Sequence, residues 1–123
     1  MELILLPEQL SVFQIESLEQ LDLSMNPLFI GSTADELSIV APTKSVPTKT
    51  INQEDGWRAL KINGVLDFSL VGILSKIATL LTEIDVSIFA ISTYNTDYIL
   101  IKETNLSNSI DCLLQNQYVV SKK

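Results

Sequence analysis

The chain contains no histidine. That absence removes the usual general base near neutral pH, the commonest metal ligand, and every Ser-His or Cys-His nucleophile pair. Cys112 is the single cysteine, so neither an intramolecular disulfide nor a cysteine-based zinc site can form within one chain, and it reads as a small core residue. Glycine and proline number only four each beside an apolar fraction of 46%, which excludes a disordered or low-complexity chain. Basic side chains are also scarce. Eight Lys and Arg face fifteen Asp and Glu, and the resulting charge of −7 repels phosphate backbones and anionic lipid surfaces alike. Lys44, Lys49, Arg58, Lys61, Lys76 and Lys102 are dispersed, and Lys122 with Lys123 forms the one adjacent pair. No nucleic-acid partner is expected.

Long apolar runs are missing too. The densest stretch, residues 70–81, carries Ser75 and Lys76 and falls short of the roughly 20 residues a membrane span needs. Residues 1–7 lack the cationic start and the length of a signal peptide, and Pro7 ends their apolar run. No membrane partner and a cytoplasmic location are the expectations. No Gly-rich phosphate loop is present, so a kinase is excluded, and the chain is expected to be no enzyme and to need no cofactor.

What is present is patterned. At 123 residues the chain suits one compact unit, or two small lobes sharing a core. Residues 57–62 alternate apolar and polar side chains as a half-buried strand does, with Trp57 anchoring its start, and Asn63-Gly64 breaks the pattern. Leu70, Ile73, Leu74, Ile77 and Leu81 then share one helical face, and Asp67 or Ser69 can cap the helix start. Residues 86–91 and 98–101 read as two strands of a hairpin joined by a polar turn. Both are apolar at successive positions, so both faces of each are expected to be covered. Leu106, Ile110, Leu113 and Leu114 mark a second helix from Asn105 or Ser107, before a short last strand at residues 118–120. The order β-α-β-β-α-β, in an α+β chain, is that of ferredoxin-like domains.

Residues 1–55 echo this plan in shortened form, and residues 56–123 form the complete copy. Phe29-Ile30-Gly31-Ser32-Thr33 and Phe89-Ala90-Ile91-Ser92-Thr93 both run from strand to a Ser-Thr turn, followed by an acidic residue and an aliphatic strand. The earlier copy has room for only about one helical turn, over residues 17–21.

Several of these segments resemble a known family. Trp57-Arg58-Ala59-Leu60-Lys61, Leu66-Asp67-Phe68-Ser69-Leu70 with Gly72-Ile73-Leu74, Ile88-Phe89-Ala90-Ile91-Ser92-Thr93-Tyr94, and Thr96-Asp97-Tyr98-Ile99-Leu100 are similar to aspartokinase-type ACT proteins and to the ACT repeats of cellular arginine sensors. Residues 33–40 resemble a partial first repeat. The resemblance implies a regulatory domain that pairs with another ACT unit, as in a homodimer, and binds an amino-acid effector at an interface between units. Carried over residue by residue, it implies a pocket lined by Asp67, Leu70, Ser87, Ile88, Thr93, Tyr94, Thr96 and Asp97. Thr96 stands where the arginine sensors have a second aromatic, so the resemblance does not narrow the ligand to a long cationic side chain.

An amino acid presents a carboxylate and an ammonium. Free N–H groups at a helix start suit the first, and Asp67 or Asp97 the second, with Gly64 permitting close backbone approach and Leu70 and Ile88 bounding the side chain. Asp67 serves equally as an ordinary N-cap, and residues 92–97 equally as a polar turn held by side-chain-to-backbone bonds. Tyr94 at the turn tip is the most suggestive residue, since an exposed aromatic there favours binding over folding. Asp67, Asp85 and Asp97 lack the ligand spacing of a calcium loop, so no metal is expected. The other reading is an adaptor that binds another protein and no small molecule.

Overall fold

The computed structural model describes residues 1–64 and 72–123. Its elements are β1 (Glu2–Leu5), β2 (Leu10–Gln14), β3 (Phe29–Ser32), β4 (Leu37–Pro42), β5 (Asn52–Ile62), α1 (Ile73–Glu83), β6 (Ile88–Ser92), β7 (Asp97–Lys102), α2 (Leu106–Gln115) and β8 (Val119–Lys122). They fall into two compact units. One comprises Met1–Pro7 with Arg58–Lys123, and the other Glu8–Trp57. The first seven residues thus group with the C-terminal unit, and β5 changes unit between Trp57 and Arg58.

In the unit of Met1–Pro7 and Arg58–Lys123, the order β5-α1-β6-β7-α2-β8 realises the ferredoxin-like α+β pattern. The strands lie side by side as β6-β7-β5-β1-β8, with β1 antiparallel to β5 and parallel to β8. A bare βαββαβ unit would place its last strand beside its first; here β1 is inserted between them. Leu3 and Leu5 of β1, Leu60 and Ile62 of β5, and Ile99 and Ile101 of β7 occupy alternate positions, so each pair faces one side of the sheet. Ile77 and Leu81 of α1 and Leu113 of α2 pack into the same cluster, joined at its margin by Ile73, Leu74, Leu106 and Ile110. Burying each such aliphatic side chain contributes about 2 kcal/mol. Ser109 is the buried polar exception on α2, and its hydroxyl is satisfied by donating to the Asn105 carbonyl at 2.7 Å.

The helix starts later than its apolar spacing predicts. Gly72 is the N-cap of α1, with φ +84; Asp67 and Ser69, the caps expected from the sequence, lie outside the described residues. The two hairpin strands also differ. Ile99, Leu100 and Ile101 of β7 are fully buried, as expected for a strand covered on both faces. In β6, however, Phe89, Ala90 and Ser92 are exposed, which corrects that expectation: among the described residues β6 pairs only with β7 and forms an edge of the sheet.

The unit of Glu8–Trp57 has strand order β3-β4-β2 followed by the first half of β5. Phe13, Ile15, Ile39 and Ala41 form its core, packed by Leu21, Met25, Leu28, Leu37 and Val46. The expected single turn is present as a 3-10 helix, Leu18–Gln20. Its start is closed by a reciprocal pair: the Glu19 N–H donates to Ser17 Oγ, and Gln20 Oε1 accepts from the Ser17 N–H. Val46 shows that the connector after Pro42 also contributes to this core.

Each unit repeats one piece of structure sixty positions apart. Ile30 pairs with Ile39 on β3 and β4, and Ala90 with Ile99 on β6 and β7. The Thr33 N–H donates to the Glu36 carbonyl at 3.0 Å, and the Thr93 N–H to the Thr96 carbonyl at 2.9 Å. A 3-10 turn follows each second strand, at Thr43–Ser45 and Glu103–Asn105.

Candidate functional site

The hairpin turn between β6 and β7 is built by its own side chains. Ser92 and Asp97 form the last register pair of the two strands. Beyond them the Thr93 hydroxyl donates to the Thr96 carbonyl at 3.0 Å and accepts the Thr96 N–H at 3.4 Å. Such threonine-to-backbone bonds replace the ladder where the chain reverses. Thr96 itself is 3% exposed, and its hydroxyl donates to the Ile62 carbonyl at 2.8 Å. That bond ties the turn to the end of β5, beside Asn63 and Gly64, where the chain departs toward α1. Asn63 is fixed in turn, its N–H donating to the Glu2 carbonyl and its side-chain amide to the Glu2 carboxylate at 2.7 Å.

Four of the eight candidate residues are therefore brought together: Thr93, Tyr94, Thr96 and Asp97 share one turn. Tyr94 projects at its tip with 80% of its surface exposed, while Thr93 is exposed and Asp97 partly buried. Thr96 spends its hydroxyl on Ile62, which gives it a positioning role in the turn. Ser87 and Ile88 are placed elsewhere. Ile88 pairs with Ile101 at the opposite end of the ladder from Ser92 and Asp97, roughly 13 Å along the strand, and its side chain packs against the core. Ser87 is exposed just before it. Asp67 and Leu70 lie outside the described residues.

The sequence reading missed the supports of this turn. The partners of Thr96 and Asn63, Ile62 and Glu2, are contributed through backbone register, which no side-chain pattern announces. Gly64 takes φ +98, a conformation that glycine adopts without strain, and the Asn-Gly pair was its local signal. Among the described residues there is no group of three or more His, Cys, Asp or Glu that could hold a metal. No helix among them is long and apolar enough to cross a membrane.

A helix-backed sheet of βαββαβ order, with a self-braced turn beside the exit of its first strand, defines a ferredoxin-like domain. The chain belongs to the ACT domain family, whose pattern matches residues 52–115, just over half of its length. It is 40% identical over 68 residues to subunit 1 of the cytosolic arginine sensor for mTORC1 of Rattus norvegicus, an alignment spanning 54% of this chain and 20% of that protein. The chain thus spans about a fifth of the length of that relative. Among solved structures, the Agrobacterium tumefaciens protein Atu0741 superposes with a TM-score of 0.88 at 24% identity, over 99% of this chain and 92% of the other. An aspartokinase alpha and beta subunit structure superposes with a TM-score of 0.63 at 12% identity, covering 94% and 96% of the two chains. These likenesses show the fold.

Proposed function

We propose that this chain is a regulatory, non-catalytic ACT protein that binds an amino-acid effector beside the turn of Thr93, Tyr94, Thr96 and Asp97, at an interface between two ACT units. The observation that carries this reading is the Thr96–Ile62 bond. It holds an exposed Tyr94 and Thr93 next to the point where β5 gives way to the chain leading into α1. A partly buried Asp97 then supplies a carboxylate for the ligand's ammonium, and Tyr94 supplies a face for its side chain. The arginine-sensor relative supports amino acids as the ligand class and a cytoplasmic setting. Ser87 and Ile88 join the site if a second unit brings them to the same ligand, and Asp67 and Leu70, outside the described residues, belong to the proposal as the resemblance implies. Glu8–Trp57 is, in this reading, most of the truncated ACT-like half placed at residues 1–55, supported by the sixty-residue repeat of its hairpin.

A thermal-shift panel of the proteinogenic amino acids tests this. A ligand at ten times its Kd stabilises the folded chain by about 1.4 kcal/mol, which raises Tm by roughly 4 °C in a chain of this size. At least one amino acid is expected to do so at millimolar concentration, and Tyr94→Ala to abolish the shift measured against the variant's own ligand-free Tm. A flat panel sinks the sensing role.

The exposed β6 edge favours the protein-interaction reading. Ile88, Phe89, Ala90, Ile91 and Ser92 carry no charge, and Phe89 is 36% exposed. A homodimer pairing along this edge serves the effector reading equally, because it brings two ACT units together. Recovery of a different protein on β6, with a flat amino-acid panel, would select the adaptor instead.

A further inference from the structure

The outer surface of α1 carries a feature that the turn does not use. A groove of about 600 Å³ runs between this helix and the bend joining α2 to β8, lined chiefly by Ile73, Ser75, Lys76, Thr79, Asn116 and Tyr118. Its volume lies within the range of small-molecule sites. Its chemistry is one-sided. Among the described residues Lys76 is the only basic side chain in the lining and no Asp or Glu lines it, in a chain with fifteen acidic residues and a charge of −7. The Lys76 ammonium makes no ion pair among the described residues. Helical spacing sets Ser75, Lys76 and Thr79 along one side, so two hydroxyls flank the cation. Asn116 is held across the groove, its amide nitrogen donating to the Cys112 carbonyl at 2.8 Å. Ile73, Leu80 and Tyr118 provide apolar wall.

We infer that this groove binds a small organic monoanion, a carboxylate with an aromatic or branched aliphatic body. The Lys76 ammonium matches a carboxylate, and a carboxylate accepting from it and from a neighbouring hydroxyl makes the stronger, charge-assisted class of hydrogen bond. The apolar wall requires a ligand body, which excludes a bare inorganic anion as the preferred occupant. An ammonium-bearing ligand gains no carboxylate partner among the described lining residues, so the groove selects against free amino acids relative to the deaminated acid. The site lies within the unit of Met1–Pro7 and Arg58–Lys123 and does not depend on the effector reading of the turn.

Titration of the 15N-labelled chain with phenylacetate, followed by two-dimensional NMR, tests the site. Saturable shifts at the backbone amides of Ser75, Thr79, Asn116 and Tyr118 are expected at concentrations to roughly 10 mM. Phenylacetamide, which keeps the body and loses the charge, is expected to bind about tenfold more weakly, and acetate, which loses the body, to do likewise. Lys76→Gln removes the discrimination between acid and amide, whereas Lys76→Arg retains it. Lys76 is exposed, so both variants should keep the parent Tm. Absent or non-saturating shifts, equal binding of phenylacetamide, or an unchanged Lys76→Gln variant would overturn the assignment.

Discussion

Thr96 illustrates how one side chain fixes a surface feature from within the core. Its hydroxyl is buried and donates to the Ile62 carbonyl, so removing the donor strands an acceptor away from water. Thr96→Val, nearly equal in volume, is expected to cost about 1–3 kcal/mol, while Thr96→Ser restores most of it. Urea midpoints of the two variants measure this, and equal midpoints would show that the bond does not hold the turn. Asp22 is a contrasting, fully exposed case. The Ser24 hydroxyl, at 2.6 Å, and then the Ser24 N–H, at 3.0 Å, donate to its carboxylate and hold its pKa below the usual value. Because the folded pKa is depressed, its contribution to stability is present above the unfolded carboxylate range and is lost as pH falls through the folded value. Carbon NMR titration should therefore show Asp22 ionising below the usual aspartate value, with Ser24→Ala raising it toward that value.

At the scale of elements, both helices end in the same way without glycine. Asp85 has φ +60 and Gln117 φ +68. In each case the following N–H reaches back across the last turn, from Val86 to the Leu81 carbonyl and from Tyr118 to that of Leu113. A left-handed non-glycine residue costs roughly 1–2 kcal/mol, offset in part by the extra freedom glycine gains in the unfolded chain. Asp85→Gly and Gln117→Gly should each stabilise by about 0.5–1 kcal/mol in thermal melts, and a lowered Tm would refute this account of the helix ends. These ends also show what was legible beforehand. The bodies of α1 and α2 follow from the spacing of Ile73, Ile77, Leu81, Leu106, Ile110 and Leu113, because one buried stripe imposes that spacing. The start of α1 did not follow, since Gly72 caps by backbone conformation alone and leaves no side-chain signature. β1 was hidden for another reason. Leu3, Leu5 and Leu6 form too short an apolar run to separate a buried strand from a leader, and its partners Leu60, Ile62 and Val120 lie far away in the chain. Of the site, the turn was legible from its polar composition and Tyr94 from its isolation. The distance between Ile88 and Thr93 became clear only from strand register.

Across the whole molecule, the charge of −7 and the edge strand β6 act against each other. Two copies repel through their net charge at low ionic strength, whereas β6 carries no charge of its own. If copies pair along β6, the attraction is main-chain and apolar, and salt removes only the repulsion, whose range falls from about 30 Å at 0.01 M to about 8 Å at 0.15 M. Self-association measured by sedimentation equilibrium should then tighten as salt rises. An assembly held by ion pairs would instead loosen. Ala90→Lys places a charge at an exposed position of β6, beside Ile99, and is expected to leave a monomer at every salt concentration. If the variant dimerises as the parent does, the contact lies on another surface, and the homodimer paired along β6 fails with it.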